Sequence, residues 1–91
     1  MVATAKNIHI VGIGGIGLSS LAQLLHQQGN RISGSDRAES SVTSMLEDQG
    51  IKVWTEQKGE NVPAGTELII YSDAVPVDSP ERVVGRERGI P

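Results

Sequence analysis

The residues best placed to do chemistry are glycines. Gly12-Ile13-Gly14-Gly15-Ile16-Gly17 matches G-x-G-x-x-G, a pattern that binds a diphosphate when it joins a strand to the start of a helix. In that setting the first glycine permits a tight turn, the second lets the main chain approach the phosphates without an intervening Cβ, and the third allows close helix-to-strand packing. Free N–H groups at the helix start point at the anion, and a helix dipole of roughly +0.5 charge at that end favours it. Gly12, Gly14, Gly15, Ile16 and Gly17 are therefore candidate anion-site residues. The loop lacks G-K-[ST], so it is no P-loop and is not expected to hold the triphosphate of ATP by itself. The bland reading of the same residues is a sharp turn that binds nothing.

A second polar position follows in Ser33-Gly34-Ser35-Asp36-Arg37. Asp36 lies 24 positions after Gly12, near the spacing of about 20 at which dinucleotide folds place an acid against a ribose. A carboxylate there accepts from a sugar hydroxyl or from the N–H of a uracil, so it suits NAD and a uridine nucleotide equally. A turn residue or helix cap is the alternative for Asp36. For Arg37 the choice is between a solvated side chain and a ligand contact.

Other chemically capable residues carry less. His9 falls inside an apolar run, where a satisfied buried histidine is expected, and His26 is expected to face solvent. Two separated histidines and no cysteine predict no metal site. Ser19 and Ser20 have no base beside them, so no catalytic residue is assigned. Trp54 is expected in or beside the core, and Glu56, Glu60 and Glu67 as solvated charges.

These groups need elements to position them. Asn7–Val11 is a short β-branched run ending at the glycines, which predicts a first strand buried on both faces of a parallel sheet. Leu18, Leu21, Ala22 and Leu25 recur at helical spacing within 16–28, with Gly29 as a stop. Arg31–Gly34 predicts a second strand, and Val42, Met45 and Leu46 a second helix capped by Ser40 or Ser41 and ended by Gly50. Ile51–Trp54 and Glu67–Tyr71 predict third and fourth strands. Ser79-Pro80-Glu81 starts a last helix that runs to Arg88. No hairpin signal joins the strands, so successive strands should be parallel, in a doubly wound, Rossmann-like α/β sheet. The chain stops where a further strand would begin, which reads as truncation of a single domain.

The gross numbers narrow the partners. Ninety-one residues suffice for one domain, and 37% hydrophobic with 21% charged residues fits a soluble globular chain. A net charge of -3 without a Lys/Arg cluster argues against nucleic acid, and no apolar run would span a bilayer. The stretch Met1–Lys6 has no secretory h-region, and the lack of cysteine fits a reducing compartment, so a cytoplasmic location is expected.

Five segments together carry a resemblance. His9-Ile10-Val11-Gly12-Ile13-Gly14-Gly15-Ile16-Gly17-Leu18-Ser19, Ser33-Gly34-Ser35-Asp36, Tyr71-Ser72-Asp73-Ala74-Val75-Pro76, Pro80-Glu81 and Arg86-Glu87-Arg88-Gly89-Ile90-Pro91 closely resemble the N-terminal domain of the Mur ligase family. The likeness covers nearly the whole chain. Gly14-Gly15 and Ser-Gly-Ser-Asp are more specific than the glycine motif alone, because ordinary dehydrogenases rarely join them to S-x-A-[IV] after a fourth strand.

The resemblance implies that residues 1–91 are the UDP-N-acetylmuramate-binding domain of a three-domain ligase of cytoplasmic peptidoglycan precursor synthesis. A central P-loop domain would bind ATP and magnesium, and a C-terminal domain would help admit the amino acid. The whole enzyme would phosphorylate the lactyl carboxylate and let an amine attack the acyl phosphate. This chain alone would carry no cofactor and no activity, and its partners would be the sugar nucleotide and the remaining ligase domains. By the match, Gly14 to Gly17 would donate N–H to the diphosphate, Asp36 and Arg37 would border the uridine, and Ser72 and Ala74 would line the same crevice. Two departures stand out: Ser20 where family members often carry glycine, and Glu56-Gln57 where they often carry Gly-His. Ligases that add L-alanine and ligases that recycle a tripeptide share this domain. The rival readings are an NAD-binding domain of an oxidoreductase and a dinucleotide-sensing regulatory domain.

Overall fold

The computed structural model describes residues 6–91, and most of the stretch read above as free of a secretory leader lies outside the described residues. Four strands and three helices alternate: β1 (Asn7–Val11), α1 (Ile16–Gln27), β2 (Arg31–Ser35), α2 (Ser41–Asp48), β3 (Lys52–Trp54), β4 (Leu68–Tyr71) and α3 (Pro80–Glu87). A single 3-10 turn, Gly59–Asn61, occupies the polar stretch between β3 and β4. The strands form one sheet in the order β3-β2-β1-β4, every pairing parallel. Strands and helices are those expected, with ends moved by a residue. β2 extends to Ser35, β3 starts at Lys52 and β4 at Leu68.

Short, β-branched strands are buried because helices cover both faces. On one face Ile8, Ile10, Ile32 and Val53 meet Ala22 and Leu25 of α1 and Leu46 of α2. On the other, Val11 and Ile69 pack with Val62 and Val75, and Val84 of α3 closes over them. At α3 the packing is close: a Cβ on Gly85 would stand 2.7 Å from Ile69 Cδ1, so the end of the Ile69 side chain would have to move. Ser40 is the cap of α2: its Oγ accepts from Thr43 N–H at 3.2 Å while its own N–H donates to Thr43 Oγ1 at 2.9 Å. That reciprocal pair satisfies donors the helix start leaves open.

The order of the strands decides where a ligand sits. From β1 the chain winds outward through β2 to β3, then crosses back to place β4 on the other side of β1. Loops leaving β1 and β4 therefore diverge and open a crevice at the carboxyl ends of the strands, the usual ligand position in open α/β sheets. At the opposite edge of the fold, Ile69 N–H donates to the Pro91 carbonyl at 2.9 Å, so the chain after α3 returns alongside β4. Among the described residues no helix is long and apolar enough to cross a membrane.

Candidate functional site

The glycine loop leaves β1 through Gly12, whose φ of 82° lies in the region that favours glycine. Its turn is held from behind, because Gly12 N–H and Ile13 N–H both donate to the Ser35 carbonyl, at 2.8 and 3.0 Å. Ile13 is buried in the core and anchors the loop from within. Beyond it the amides divide into two sets. Gly14 N–H donates to Asp36 Oδ2 at 2.8 Å, and Gly15 N–H donates to the Gly12 carbonyl at 3.0 Å. The first helical bond of α1 is Ser19 N–H to the Gly15 carbonyl at 2.8 Å. The N–H groups of Ile16, Gly17 and Leu18 thus precede the first acceptor a helix can offer them. Gly15 has no side chain to cap them, and the first turn carries no acid. The open donors are those three, a residue or two further along than the Gly14 to Gly17 stretch that the glycine pattern suggests.

The glycines also divide by purpose. A Cβ on Gly14 would stand 2.7 Å from Asp36 Oδ2 and 3.2 Å from Thr43 Cγ2. Its bare backbone accommodates the aspartate, where the sequence suggested a phosphate. Gly17 differs again. The motif assigns it to helix-on-strand packing, yet a Cβ there would meet nothing within 4 Å. Packing against the sheet therefore does not explain this glycine.

Asp36 follows β2 and is half-buried. Its Oδ1 accepts from Arg37 N–H at 2.8 Å while Oδ2 holds Gly14, so main chain satisfies both oxygens. The Arg37 side chain is exposed beside it. Gly12, Asp36, Arg37, Ser72 and Ala74 come together around one crevice of about 220 Å³, with Gln57, Val75 and Pro76 completing the lining. Gly14 to Gly17 stand outside that lining, Ile16 being 90% exposed. Gln57, Val75 and Pro76 were not among the expected site residues. Their signals were present, Gln57 as the departure from the family loop and Val75-Pro76 as the end of the segment after β4. Glu56 and Lys58 flank Gln57 as an exposed pair 2.8 Å apart. The hydrogen bond from Lys58, then its charge, lowers the Glu56 carboxyl below its ordinary range, and Glu56 raises Lys58 in return.

The remaining chemically capable residues settle elsewhere. Ser19 and Ser20 both donate their hydroxyls back to the Ile16 carbonyl at 3.1 Å. His9 is enclosed by protein and fully hydrogen-bonded. His26, expected in solvent, is half-buried and ties α1 to the end of α2 through Nε2 and the Gln49 carbonyl at 2.8 Å. Trp54 lies beside the core, 6.1 Å between ring centroids from His9. Glu67 is exposed, yet one carboxylate oxygen accepts from the N–H of Lys6, the N–H of Asn7 and the Asn7 side chain, each at 3.1 Å. Among the described residues no three His, Asp or Glu side chains gather as metal ligands.

This geometry has counterparts in known proteins. A family model described as "Mur ligase family, catalytic domain" matches residues 7–91. A UDP-N-acetylmuramate–L-alanine ligase of Novosphingobium aromaticivorans is 50% identical over 84 residues, 92% of this chain and 18% of that protein. One of Agathobacter rectalis is 44% identical over 85 residues, covering 93% of this chain and 18% of the relative. The solved UDP-N-acetylmuramate–alanine ligase of Thermotoga maritima superposes with a TM-score of 0.90 at 36% identity, over 93% of this chain and 20% of that one. The chain spans about 18% of the length of these curated relatives. With the glycine loop, the Ser33–Asp36 run and the segment after β4 all inside the matched residues, the chain belongs to the Mur ligase family.

Proposed function

We propose that residues 1–91 are the N-terminal, substrate-gripping domain of a cytoplasmic UDP-N-acetylmuramate:L-alanine ligase, and that they hold the sugar nucleotide by its diphosphate. The observation that carries this reading is the set of open amides at Ile16, Gly17 and Leu18 beside a polar crevice at the strand ends. Three aligned donors at the positive end of a helix favour an anion without any lysine. In this reading the two phosphates lie over the start of α1, and the uridine faces Asp36, Arg37, Gln57 and Ser72. Ala74 and Val75 supply the apolar part of that wall. Asp36 repels phosphate while accepting from a neutral N–H or hydroxyl, so it separates the uridine end of the ligand from its charged centre.

The relatives' names support the choice of ligand, and so does an identity that reaches 50%. Residues of this chain grip and orient. ATP and magnesium would bind in the central domain of the full ligase, and the acyl phosphate and the amide would form between domains. The chain by itself is then a binding module without turnover.

Titration of the chain with UDP-N-acetylmuramate and, separately, with NAD tests this, following backbone amide shifts. Saturable shifts around Ile16–Leu18 with the sugar nucleotide and no response to NAD are expected. Saturation by NAD with no response to the sugar nucleotide would point to an oxidoreductase or sensor domain instead. Hydrolysis of ATP by this chain would contradict its assignment as a binding module.

A further inference from the structure

The sheet face beneath α3 carries polar side chains where apolar ones would pack, and they are enclosed. His9, Ser33, Ser35 and Glu81 are all buried, His9, Ser35 and Glu81 completely. They are joined in one chain of contacts. Ser33 Oγ lies 2.8 Å from His9 Nδ1, His9 Nε2 lies 2.5 Å from Glu81 Oε2, and Ser35 Oγ donates to Glu81 Oε1 at 2.8 Å. The serine hydroxyl at Nδ1 serves either ring state, donating to a neutral ring and accepting from a charged one. Burying a carboxylate is costly unless it is paired and hydrogen-bonded, and here each Glu81 oxygen has a partner. None of them lines the crevice, which excludes a direct part in any reaction there.

Their place in the fold supplies a role. The main-chain carbonyl of Ser35 holds the turn of the glycine loop through Gly12 and Ile13. Its hydroxyl is gripped by Glu81. Glu81 itself stands in the first turn of α3, which continues from the segment forming the opposite wall of the crevice. That wall is tied to the helix start by its own bonds, Val75 N–H to the Ser72 carbonyl and Ser79 N–H to the Pro76 carbonyl, each 3.0 Å. One carboxylate therefore links both walls, the glycine loop through Ser35 and the Ser72–Pro76 segment through the backbone of α3.

We propose that Glu81 is a positioning residue. With Ser35 and His9 it forms a buried latch that fixes the glycine loop relative to the wall after β4, and so the aim of the loop amides. The consequence for ligand affinity rests on the diphosphate reading above, whereas the latch itself does not.

The test compares the chain with its Ser35→Ala, Glu81→Gln and Glu81→Leu variants by amide hydrogen exchange and by titration with UDP-N-acetylmuramate. Ser35→Ala keeps the His9–Glu81 pair and removes only the grip on the loop. Exchange at Gly12 and Ile13 should then rise roughly tenfold relative to Ile32 in the middle of β2, with affinity falling by about the same factor. Glu81→Gln retains an acceptor for Ser35 and a donor for a neutral His9, so it should stay within about threefold of the parent, while Glu81→Leu should not. If Glu81→Leu does not fold, Ser35→Ala decides alone. Uniform acceleration across the core, or an unchanged ratio of Gly12 and Ile13 to Ile32, would overturn the latch. A parent chain that ignores the sugar nucleotide would sink the ligand reading and leave the exchange result to judge the latch.

Discussion

Replacing Gly17 with alanine should make the domain more stable and a worse binder at once. Gly17 is the second residue of α1, and a Cβ placed there meets no atom within 4 Å. Nothing in the fold resists the methyl. Glycine inside a helix costs roughly 0.5–1 kcal/mol relative to alanine, and a position in the first turn should return the lower end of that range. For a domain of this size, about 0.5 kcal/mol corresponds to a rise in Tm of roughly 2–4 °C. The same methyl would project from the first turn of α1, at the helix start where the proposed diphosphate site lies. Affinity for UDP-N-acetylmuramate should therefore fall tenfold or more, on the order of 1.4 kcal/mol. Thermal unfolding by circular dichroism and a calorimetric titration read the two effects separately. A lower Tm would show that Gly17 serves packing, as the motif suggests. A higher Tm with unchanged affinity would show that the ligand approaches elsewhere.

Other outcomes follow from the same geometry. Gly34→Ala should destabilise by roughly 1–3 kcal/mol or prevent folding, because its Cβ would stand 2.6 Å from both the Ile10 carbonyl and Ile13 Cδ1; a urea midpoint equal to the parent's would contradict the packing described. Ser40→Ala removes the Oγ that accepts from Thr43 N–H while leaving the bond from its own N–H to Thr43 Oγ1, and should cost about 1 kcal/mol, measured by the same unfolding curve. Lys58→Met should let the Glu56 carboxyl rise toward its ordinary value, since Lys58 is what lowers it. A carboxyl depressed in the folded state stabilises above its unfolded pKa and loses that as pH falls through the folded one, so the variant should show a weaker acid-side loss of stability. An unchanged Glu56 titration by NMR would refute the pairing.

Local pattern made much of this fold legible. A β-branched run ending in glycines marks β1, leucine spacing marks α1, and Gly29 and Gly50, both with φ of 94°, end the first two helices as their position suggested. The crevice was legible in outline because Asp36 and the segment after β4 sit at strand ends that topology brings together. Long-range pairings were not. Glu81 has the local signature of a solvated first-turn acid, and only the crossover of the chain places it against His9, 72 positions away. Gly14 likewise reads as a phosphate donor until Asp36, 22 positions later, is seen to take its N–H. Gln57 joins the crevice because the loop after β3 folds toward the end of β4, a meeting that no spacing in the sequence records.

At the start of α1, three amides lack an acceptor within the fold. Chemical shifts of Ile16, Gly17 and Leu18 during titration with UDP-N-acetylmuramate test that most directly. Saturable downfield movement of these three, shared in reduced form by uridine diphosphate and absent with uridine alone, is the result expected. Binding that leaves them still, with shifts confined to other residues, would contradict it.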